Sequence, residues 1–158
     1  MTDQDIQFMT RAIELARFGM DANTGGPFGC VVVKDGKIIG EGNNCVTSTN
    51  DPTAHAEVVA IREACKTLNS FQLDGCSIYT SCEPCPMCLG AIYWARPAQV
   101  FYACTREDAA AVGFDDDFIY DELAKSNEDR ERVMINLLRD EGVALFQDWA
   151  DKPDKIEY

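Results

Sequence analysis

Four residues at short spacings carry the chemistry of this sequence: His55 and Glu57 in "HAE", and Cys85 and Cys88 in "CPMC". An imidazole and two thiolates suit zinc, and three protein ligands leave a fourth tetrahedral position open for water, as in catalytic zinc sites. Zinc lowers the pKa of such a water towards about 7. We expect Glu57 to accept the water proton and to return it to a leaving group. The four residues therefore predict a hydrolytic zinc site.

Two other interpretations use the same cysteines. Cys82 would complete a closed structural site of four protein ligands, whereas a C-x-x-C pair by itself is also typical of thioredoxin-like redox proteins. Neither interpretation requires Glu57, and the redox interpretation leaves the pairing of His55 with Glu57 unexplained. We therefore favour a catalytic site, and a structural zinc module that binds a partner is the non-enzymatic alternative.

The elements that must position these residues follow from the apolar spacing. The stretch "HAEVVAIREACKTL" has helical spacing, so we expect a helix that begins near Asp51-Pro52 and carries His55 on its apolar side. A second helix is expected at "CPMCLGAIYWA" and an amphipathic one near the start of the chain, capped by Thr2 or Asp3. Short apolar runs on both sides of Asp35-Gly36 predict a hairpin. Strands are also expected at "CSIYTS" and "AQVFYAC".

Strands that alternate with helices predict an α/β domain with crossover helices. In the last third, "GFDDDFIYDELAK" predicts a loop and a short helix, and "VALFQDWA" a helix before the tail. The segment 130–138, "RERVMINLL", fits either a helix or a strand, and we favour a fifth strand. Because no repeat or linker interrupts the chain, we expect one domain over residues 1–158, with 146–158 as a C-terminal helix and tail.

The charge balance narrows the class of partner. The net charge is −13 and no cluster of Lys and Arg occurs, whereas nucleic-acid binding draws on basic patches. We therefore expect a small-molecule substrate and no nucleic acid. No apolar run approaches the roughly 20 residues that cross a bilayer, and the acidic N-terminal stretch is unlike a secretory signal. We expect a cytoplasmic protein without a membrane segment.

The pattern H-x-E followed by P-C-x-x-C is a signature of zinc-dependent nucleobase deaminases. The blocks "GGPFG", "TNDPTAHAEVVAIREAC", "YTSCEPCPMCLGAIYWARP" and "GFDDDFIY" resemble the guanine deaminases of the cytidine deaminase superfamily. The resemblance implies a three-layer α/β/α sandwich with a mixed sheet of about five strands and helices on both faces. It implies one zinc per chain, held by His55, Cys85 and Cys88, with Glu57 as proton shuttle, and a homodimer. The implied reaction is attack of zinc-bound hydroxide on carbon 2 of guanine, which releases ammonia and forms xanthine.

Two polar residues are candidates for substrate binding. Asn44 resembles the asparagine that positions substrate in this family, and its amide offers a donor and an acceptor to a purine edge. A loop asparagine that only stabilises a turn is equally compatible with the pattern. Asp116 resembles the acidic residue that holds the guanine edge, where a carboxylate accepts from two N–H donors. A solvated acidic run is the alternative, and Asp115 is a second candidate.

Two aromatic residues complete the predicted site. Phe28 would stack on the purine or pack in the core, and Gly25, Gly26 and Gly29 would let the backbone approach closely. Tyr158 would close over the site as a lid, across a dimer interface if the tail reaches the neighbouring site. Guanosine, cytosine and transfer RNA adenosine stay open as other substrates.

Overall fold

The computed structural model describes residues 1–114 and 116–157. The chain divides into two compact units, Met1–Asp117 and Phe118–Tyr158. The elements, in chain order, are α1 (Asp3–Asp21), β1 (Gly29–Lys34), β2 (Lys37–Asn43), α2 (Val46–Thr49), α3 (Ala56–Leu68), β3 (Ser77–Cys82), α4 (Pro86–Ala95), β4 (Gln99–Cys104), α5 (Arg106–Ala110), α6 (Asp117–Ala124) and α7 (Arg139–Asp151). None of the helices described has the length and apolar character required to cross a bilayer.

The sheet of the first unit is mixed, with the strand order β2-β1-β3-β4. Strands β1 and β2 form the predicted hairpin, and the turn residues Asp35 and Gly36 have φ of 50° and 73°. Positive φ at both positions is typical of the tight turn that matches strand twist. Strand β3 pairs antiparallel with β1 and parallel with β4, so α4 is the crossover helix between two parallel strands.

Side chains alternate across the sheet and build the predicted three layers. Val31 and Val33 pack with Leu15 of α1 on one face. Val32 and Ile78 point to the opposite face, where they pack with α3 and α4 through a cluster that includes Ala60, Ala64, Ile92 and Ala95. The alternation follows from the two-residue period of a strand. The α/β/α sandwich with helices on both faces is therefore confirmed.

The predicted N-terminal helix is confirmed together with its cap. The Thr2 hydroxyl accepts a hydrogen bond from the Asp5 N–H at 3.2 Å, and the Asp5 carboxylate accepts one from the Thr2 N–H at 2.6 Å. This reciprocal pair satisfies two backbone donors at the first turn.

The prediction of a fifth strand is wrong for the residues that the structure describes, because the sheet has four strands and residues 130–138 form neither strand nor helix. The start of the segment contacts α6, because the Glu122 carboxylate of that helix accepts a hydrogen bond from the Glu131 N–H at 2.6 Å. Beyond it, Ile135 and Leu137 are more than 80% exposed. An extended segment becomes a strand only when a neighbouring backbone pairs with it, and the described part of the second unit contains no other strand.

Candidate metal centre and active site

His55 lies immediately before a helix and not within one. Helix α3 begins at Ala56, and His55 is its N-cap with extended backbone, φ −70° and ψ 155°. The predicted helix start at Asp51-Pro52 is therefore wrong. The Asp51 carboxylate instead accepts hydrogen bonds from the backbone N–H (2.8 Å) and hydroxyl (2.7 Å) of Thr53. Such a local turn competes with helix formation and leaves His55 in extended backbone before the helix.

The two cysteines occupy the equivalent end of α4. Cys85 is the N-cap, Pro86 is the first helical residue and Cys88 lies in the first turn. The Nδ1 atom of His55 lies 3.5 Å from the sulfur of Cys85 and 3.5 Å from that of Cys88. All three ligand atoms lie within 4.8 Å of one another. This donor set of one imidazole nitrogen and two sulfurs fits a zinc ion.

The three groups of this cluster differ in the direction of their pKa shifts. Hydrogen bonding to Cys88, and then to His55, lowers the pKa of Cys85 to about 4, so that Cys85 is a thiolate at neutral pH. The contact with the Cys85 thiolate, together with burial, raises the pKa of Cys88. The hydrogen bond to Cys85 likewise raises the pKa of His55. A thiolate beside a helix N-terminus is a preformed ligand for a cation.

Glu57 is the buried carboxylate of the site, with only 6% of its surface exposed. Its Oε2 atom lies 3.4 Å from the Cys88 sulfur, and its Oε1 atom accepts a hydrogen bond from the Thr80 hydroxyl at 3.3 Å. Burial raises the pKa of Glu57 above its usual range. A buried carboxyl with a raised pKa next to a metal-ligand cluster is suited to accept and release protons.

Cys82 does not join the cluster. Among the residues that the structure describes, the group able to hold a metal consists of His55, Cys85 and Cys88. The Cys82 thiol instead donates to the backbone oxygen of Thr105 at 3.5 Å. The closed four-ligand site thus lacks its fourth ligand in the described part of the chain.

The cluster opens into a cavity of about 440 Å³. His55, Glu57 and Cys85 form its metal-binding side. The remaining walls combine apolar and polar side chains, among them Phe28, Asn44, Arg106, Phe114 and Asp116. A concave, mainly apolar cavity with a few converging polar groups is typical of a small-molecule site.

Comparison with known proteins agrees with this geometry. The cytidine and deoxycytidylate deaminase zinc-binding region matches residues 2–104. The chain is 58% identical over 151 residues to a guanine deaminase of Bacillus subtilis (strain 168), and the match covers 96% of this chain and 97% of that one. The chain belongs to the cytidine and deoxycytidylate deaminase family, in its guanine deaminase branch.

Two further comparisons delimit this assignment. The X-ray structure of the guanine deaminase from Bacillus subtilis superposes with a TM-score of 0.95 at 56% identity, covering 100% of this chain and 99% of that one. A tRNA-specific adenosine deaminase of Aquifex aeolicus is 46% identical over only 77 residues, which are 49% of this chain and 51% of that protein. The similarity to guanine deaminase therefore extends beyond the shared zinc-binding region.

Asn44 of this deaminase follows β2 and is only 6% exposed. Its Oδ1 atom accepts a hydrogen bond from the Val46 N–H at 3.2 Å. The side chain thus stabilises a turn and lines the cavity as well, so both sequence interpretations describe part of its environment. The Nδ2 amide can donate to a ligand, and Oδ1 has a second lone pair with which it can accept.

Phe28 lines the cavity and packs against Phe114 in an edge-to-face arrangement, with ring centroids 4.9 Å apart. Of the three glycines, Gly26 lies against these two rings, and Gly25 lies against Asn44. Gly29 lies against the backbone of α1, so it serves the packing of the helix on the sheet.

Asp116 is half-buried in the cavity wall. Burial raises its pKa, and the nearby Cys85 thiolate adds to this effect. The structure thus brings Asp116 to the same cavity as Asn44 and the metal ligands, although about 60 or more residues separate it from Asn44 and His55 in sequence. Asp115 and Tyr158, the other two predicted candidates, lie outside the described residues.

Sequence reasoning missed two charged residues of the cavity, Glu83 and Arg106. The Glu83 carboxylate accepts from the Arg106 backbone N–H at 3.2 Å, and the Arg106 guanidinium lies 3.7 Å from the Asp117 carboxylate. Both follow the carboxyl ends of the parallel strands β3 and β4, where ligand sites of α/β proteins commonly form. Their position directly after these strand ends was the feature of the sequence that could have identified them as site residues.

Proposed function

We infer that this protein catalyses the zinc-dependent hydrolytic deamination of guanine to xanthine and ammonia. The observation that carries this inference is the cluster of His55, Cys85 and Cys88 beside the buried Glu57, at the wall of a cavity sized for a small molecule. The identity of 58% to a guanine deaminase, over 96% of the chain, supports guanine as the substrate. The enzyme is thus a zinc-dependent aminohydrolase with one zinc ion per chain.

His55, Cys85 and Cys88 hold the zinc, which when bound supplies a Lewis acid that lowers the pKa of water towards about 7. Glu57 takes the proton from the attacking water and delivers it to the leaving amino group. The raised pKa of Glu57 supports both halves of this role, because burial makes the protonated carboxyl easier to form and so assists both uptake and release of the proton.

Asn44, Asp116 and Phe28 orient the base in this proposal. The Nδ2 amide of Asn44 donates to an acceptor of the purine, while the Val46 N–H bond to Oδ1 holds the side chain in place. Asp116 accepts from the N–H donors of the pyrimidine-ring edge, a pairing that adenine and cytosine lack. Phe28 packs against the flat face of the base. We further propose that residues 1–158 form one domain. In that domain, Tyr158 acts as a lid over the site.

Charge argues against transfer RNA as the substrate. The net charge is −13, whereas binding to a phosphate backbone depends on Lys and Arg. Arg106 is the cationic residue that lines the cavity among the residues described, and it lies beside the carboxylates of Glu107 and Asp117. A small neutral substrate fits this surface better. A location in the cytoplasm stays a prediction.

A homodimer is the second part of the proposal, and exposed apolar side chains support it. Helix α4 is apolar on almost every side, yet Tyr93 and Trp94 are 76% and 64% exposed. A helix that is apolar all round is normally buried. In the second unit, Phe146 of α7 is 73% exposed as well. We propose that a second copy of the chain covers the exposed apolar side chains of each unit.

Ammonia release tests the activity. Purified zinc-loaded protein is assayed against guanine, guanosine, adenine, cytosine, cytidine and transfer RNA. We expect release from guanine at a kcat/KM at least about 100-fold above that for the other bases, because the half-buried Asp116 carboxylate is left without its donors when they bind. Release from another substrate, and none from guanine, would overturn the assignment.

Complementation tests the tail and the dimer together. One chain carries Glu57→Gln and an intact tail, and its co-expressed partner retains Glu57 but lacks residues 156–158. If the tail reaches the neighbouring site, the mixed dimer has one complete site and recovers activity that each parent dimer lacks. If each tail serves its own site, or the protein sediments as a monomer, activity is not recovered and the exchange is contradicted.

A further inference from the structure

Thr80 is a buried polar residue at the centre of the sheet to which the deamination mechanism gives no role. It lies on β3, where it pairs with Cys30 of β1 and with Tyr102 of β4, and 1% of its surface is exposed. The described residues that line the cavity include Glu57 but not Thr80. Its side chain can therefore influence the reaction only through another residue.

The two oxygens of Glu57 have different partners. Oε1 accepts a hydrogen bond from the Thr80 hydroxyl at 3.3 Å, and Oε2 lies 3.4 Å from the sulfur of Cys88. A Thr side chain is restricted at χ1, and Thr80 stands on an interior strand that is paired on both sides. Its hydroxyl is thus a donor that the sheet holds in a fixed position.

The two contacts also differ in their relation to the metal-ligand cluster. Oε2 faces Cys88, a member of that cluster, whereas Oε1 is held by Thr80, which is not a member. We propose that Thr80 is a positioning residue that holds the Glu57 carboxylate through Oε1, so that Oε2 stays directed at the metal-ligand cluster. The inference rests on the proposed function, in which Glu57 is the proton shuttle.

Thr80→Val tests the proposal, because valine keeps the shape and removes the hydroxyl. We expect kcat for guanine to fall by about 10- to 100-fold, the cost of a catalytic group displaced by about 1 Å. KM should stay within about twofold, since Thr80 does not line the cavity. Thr80→Ser keeps the donor and should retain kcat to within about threefold. Zinc content should remain at one ion per chain in both variants.

Ser81→Ala is the matched control on the same strand. The Ser81 hydroxyl accepts from the Gly29 N–H at 3.0 Å and is as buried as Glu57, but it supports the backbone and not the carboxylate. This variant should lose thermal stability and keep kcat. A crystal structure of zinc-loaded Thr80→Val adds a readout that does not depend on activity, and it should show the Glu57 carboxylate rotated away from its wild-type position.

The outcomes separate this inference from the proposed function. Wild-type protein that does not deaminate guanine contradicts the function itself. An active wild type with unchanged kcat and an unchanged Glu57 position in Thr80→Val contradicts the role of Thr80 alone. If Thr80→Val is too unstable to purify, Thr80→Ser and Thr80→Ala are compared at matched zinc content. Equal kcat in those two variants also overturns the proposal.

Discussion

The Cα atom of Gly25 lies directly against Asn44. A Cβ atom at position 25 would stand 2.1 Å from Oδ1 of Asn44 and 2.6 Å from its backbone oxygen, far inside van der Waals contact. The absence of a side chain at Gly25 therefore determines where the Asn44 amide is held, and with it one wall of the cavity.

Gly25→Ala should displace Asn44 and raise KM for guanine by about 10-fold, the cost of one misplaced hydrogen bond of about 1.4 kcal/mol. Steady-state kinetics of ammonia release provide the measurement. Gly142→Ala is the control, because the added Cβ on α7 meets no atom within 4 Å. An unchanged KM in Gly25→Ala would show that the loop adapts without moving Asn44.

Glu57→Gln should abolish turnover and leave the metal in place. Glutamine keeps the shape of the side chain but cannot shuttle a proton, so we expect kcat to fall by at least about 100-fold. Zinc content measured by atomic absorption should stay at one ion per chain, since Glu57 is not among the predicted ligands. Substantial residual activity at full zinc content would assign the proton transfer to another group.

Removal of zinc should destabilise the first unit as well as inactivate the protein. His55 precedes α3 and Cys85 precedes α4, so one ion joins the beginnings of two helices. A ligand that binds only the folded state raises the free energy of unfolding, by an amount that grows with the logarithm of the ligand concentration relative to Kd. We expect chelation to lower the thermal midpoint, zinc to restore it, and Cys88→Ser to weaken the response. If chelation left the thermal midpoint unchanged, zinc would not be bound between the starts of these two helices.

Asp116→Asn should weaken the binding of guanine. An amide offers one acceptor where the carboxylate offers two charged ones, so we expect kcat/KM to fall by about 10- to 100-fold, as for a lost charge-assisted hydrogen bond. Asp117→Asn is the comparison, because Asp117 is a surface partner of Arg106 at 3.7 Å and should matter less. Equal effects of the two substitutions would indicate that Asp116 belongs to a solvated acidic run and does not bind the substrate.

The stability of the first unit should fall at alkaline pH through Tyr79. Burial, followed by its 2.7 Å hydrogen bond to Asp5, raises the pKa of Tyr79 from 10.0 to about 12. Between these values the unfolded chain loses the proton that the folded chain keeps, so the free energy of unfolding falls as pH rises. Below pH 10 the contribution is complete.

Tyr79→Phe removes this contribution and isolates it. We expect the variant to be less stable at pH 8 by about 1 kcal/mol, the value of one hydrogen bond. The difference from wild type should shrink as the pH rises from 10 to 12, as measured by denaturant unfolding. A constant difference over that range would mean that Tyr79 titrates at its usual pKa.

The metal ligands were predictable because their chemistry is local. Cys85 and Cys88 stand three residues apart at a helix start, and His55 is the only histidine. Residue type and spacing suffice in such a case. The beginning of α3 was not predictable in the same way, because the turn made by Asp51 and Thr53 competes with the helical pattern around it.

The cavity walls illustrate the opposite case. The Arg106 backbone N–H donates to the Glu83 carboxylate 23 residues earlier in the chain, and no pattern in the sequence connects the two residues. The segment 130–138 has the apolar residues of a strand but no strand beside it in the described part of its unit. Pairing between distant segments decides such features, and residue type alone does not report it.

By itself, the sequence predicted the cluster of His55, Cys85 and Cys88, the carboxylate proposed as the proton carrier, the hairpin and the layered α/β class, because each depends on residue type, on a close spacing or on a simple period. Only the tertiary structure decided which side chains share the cavity. Asn44 and Asp116 are brought there by the strand order, and the Thr80 hydroxyl of β3 reaches the Glu57 carboxylate across 23 residues of sequence. Contacts between elements far apart in the chain arise from packing, and packing is settled only when the whole core forms.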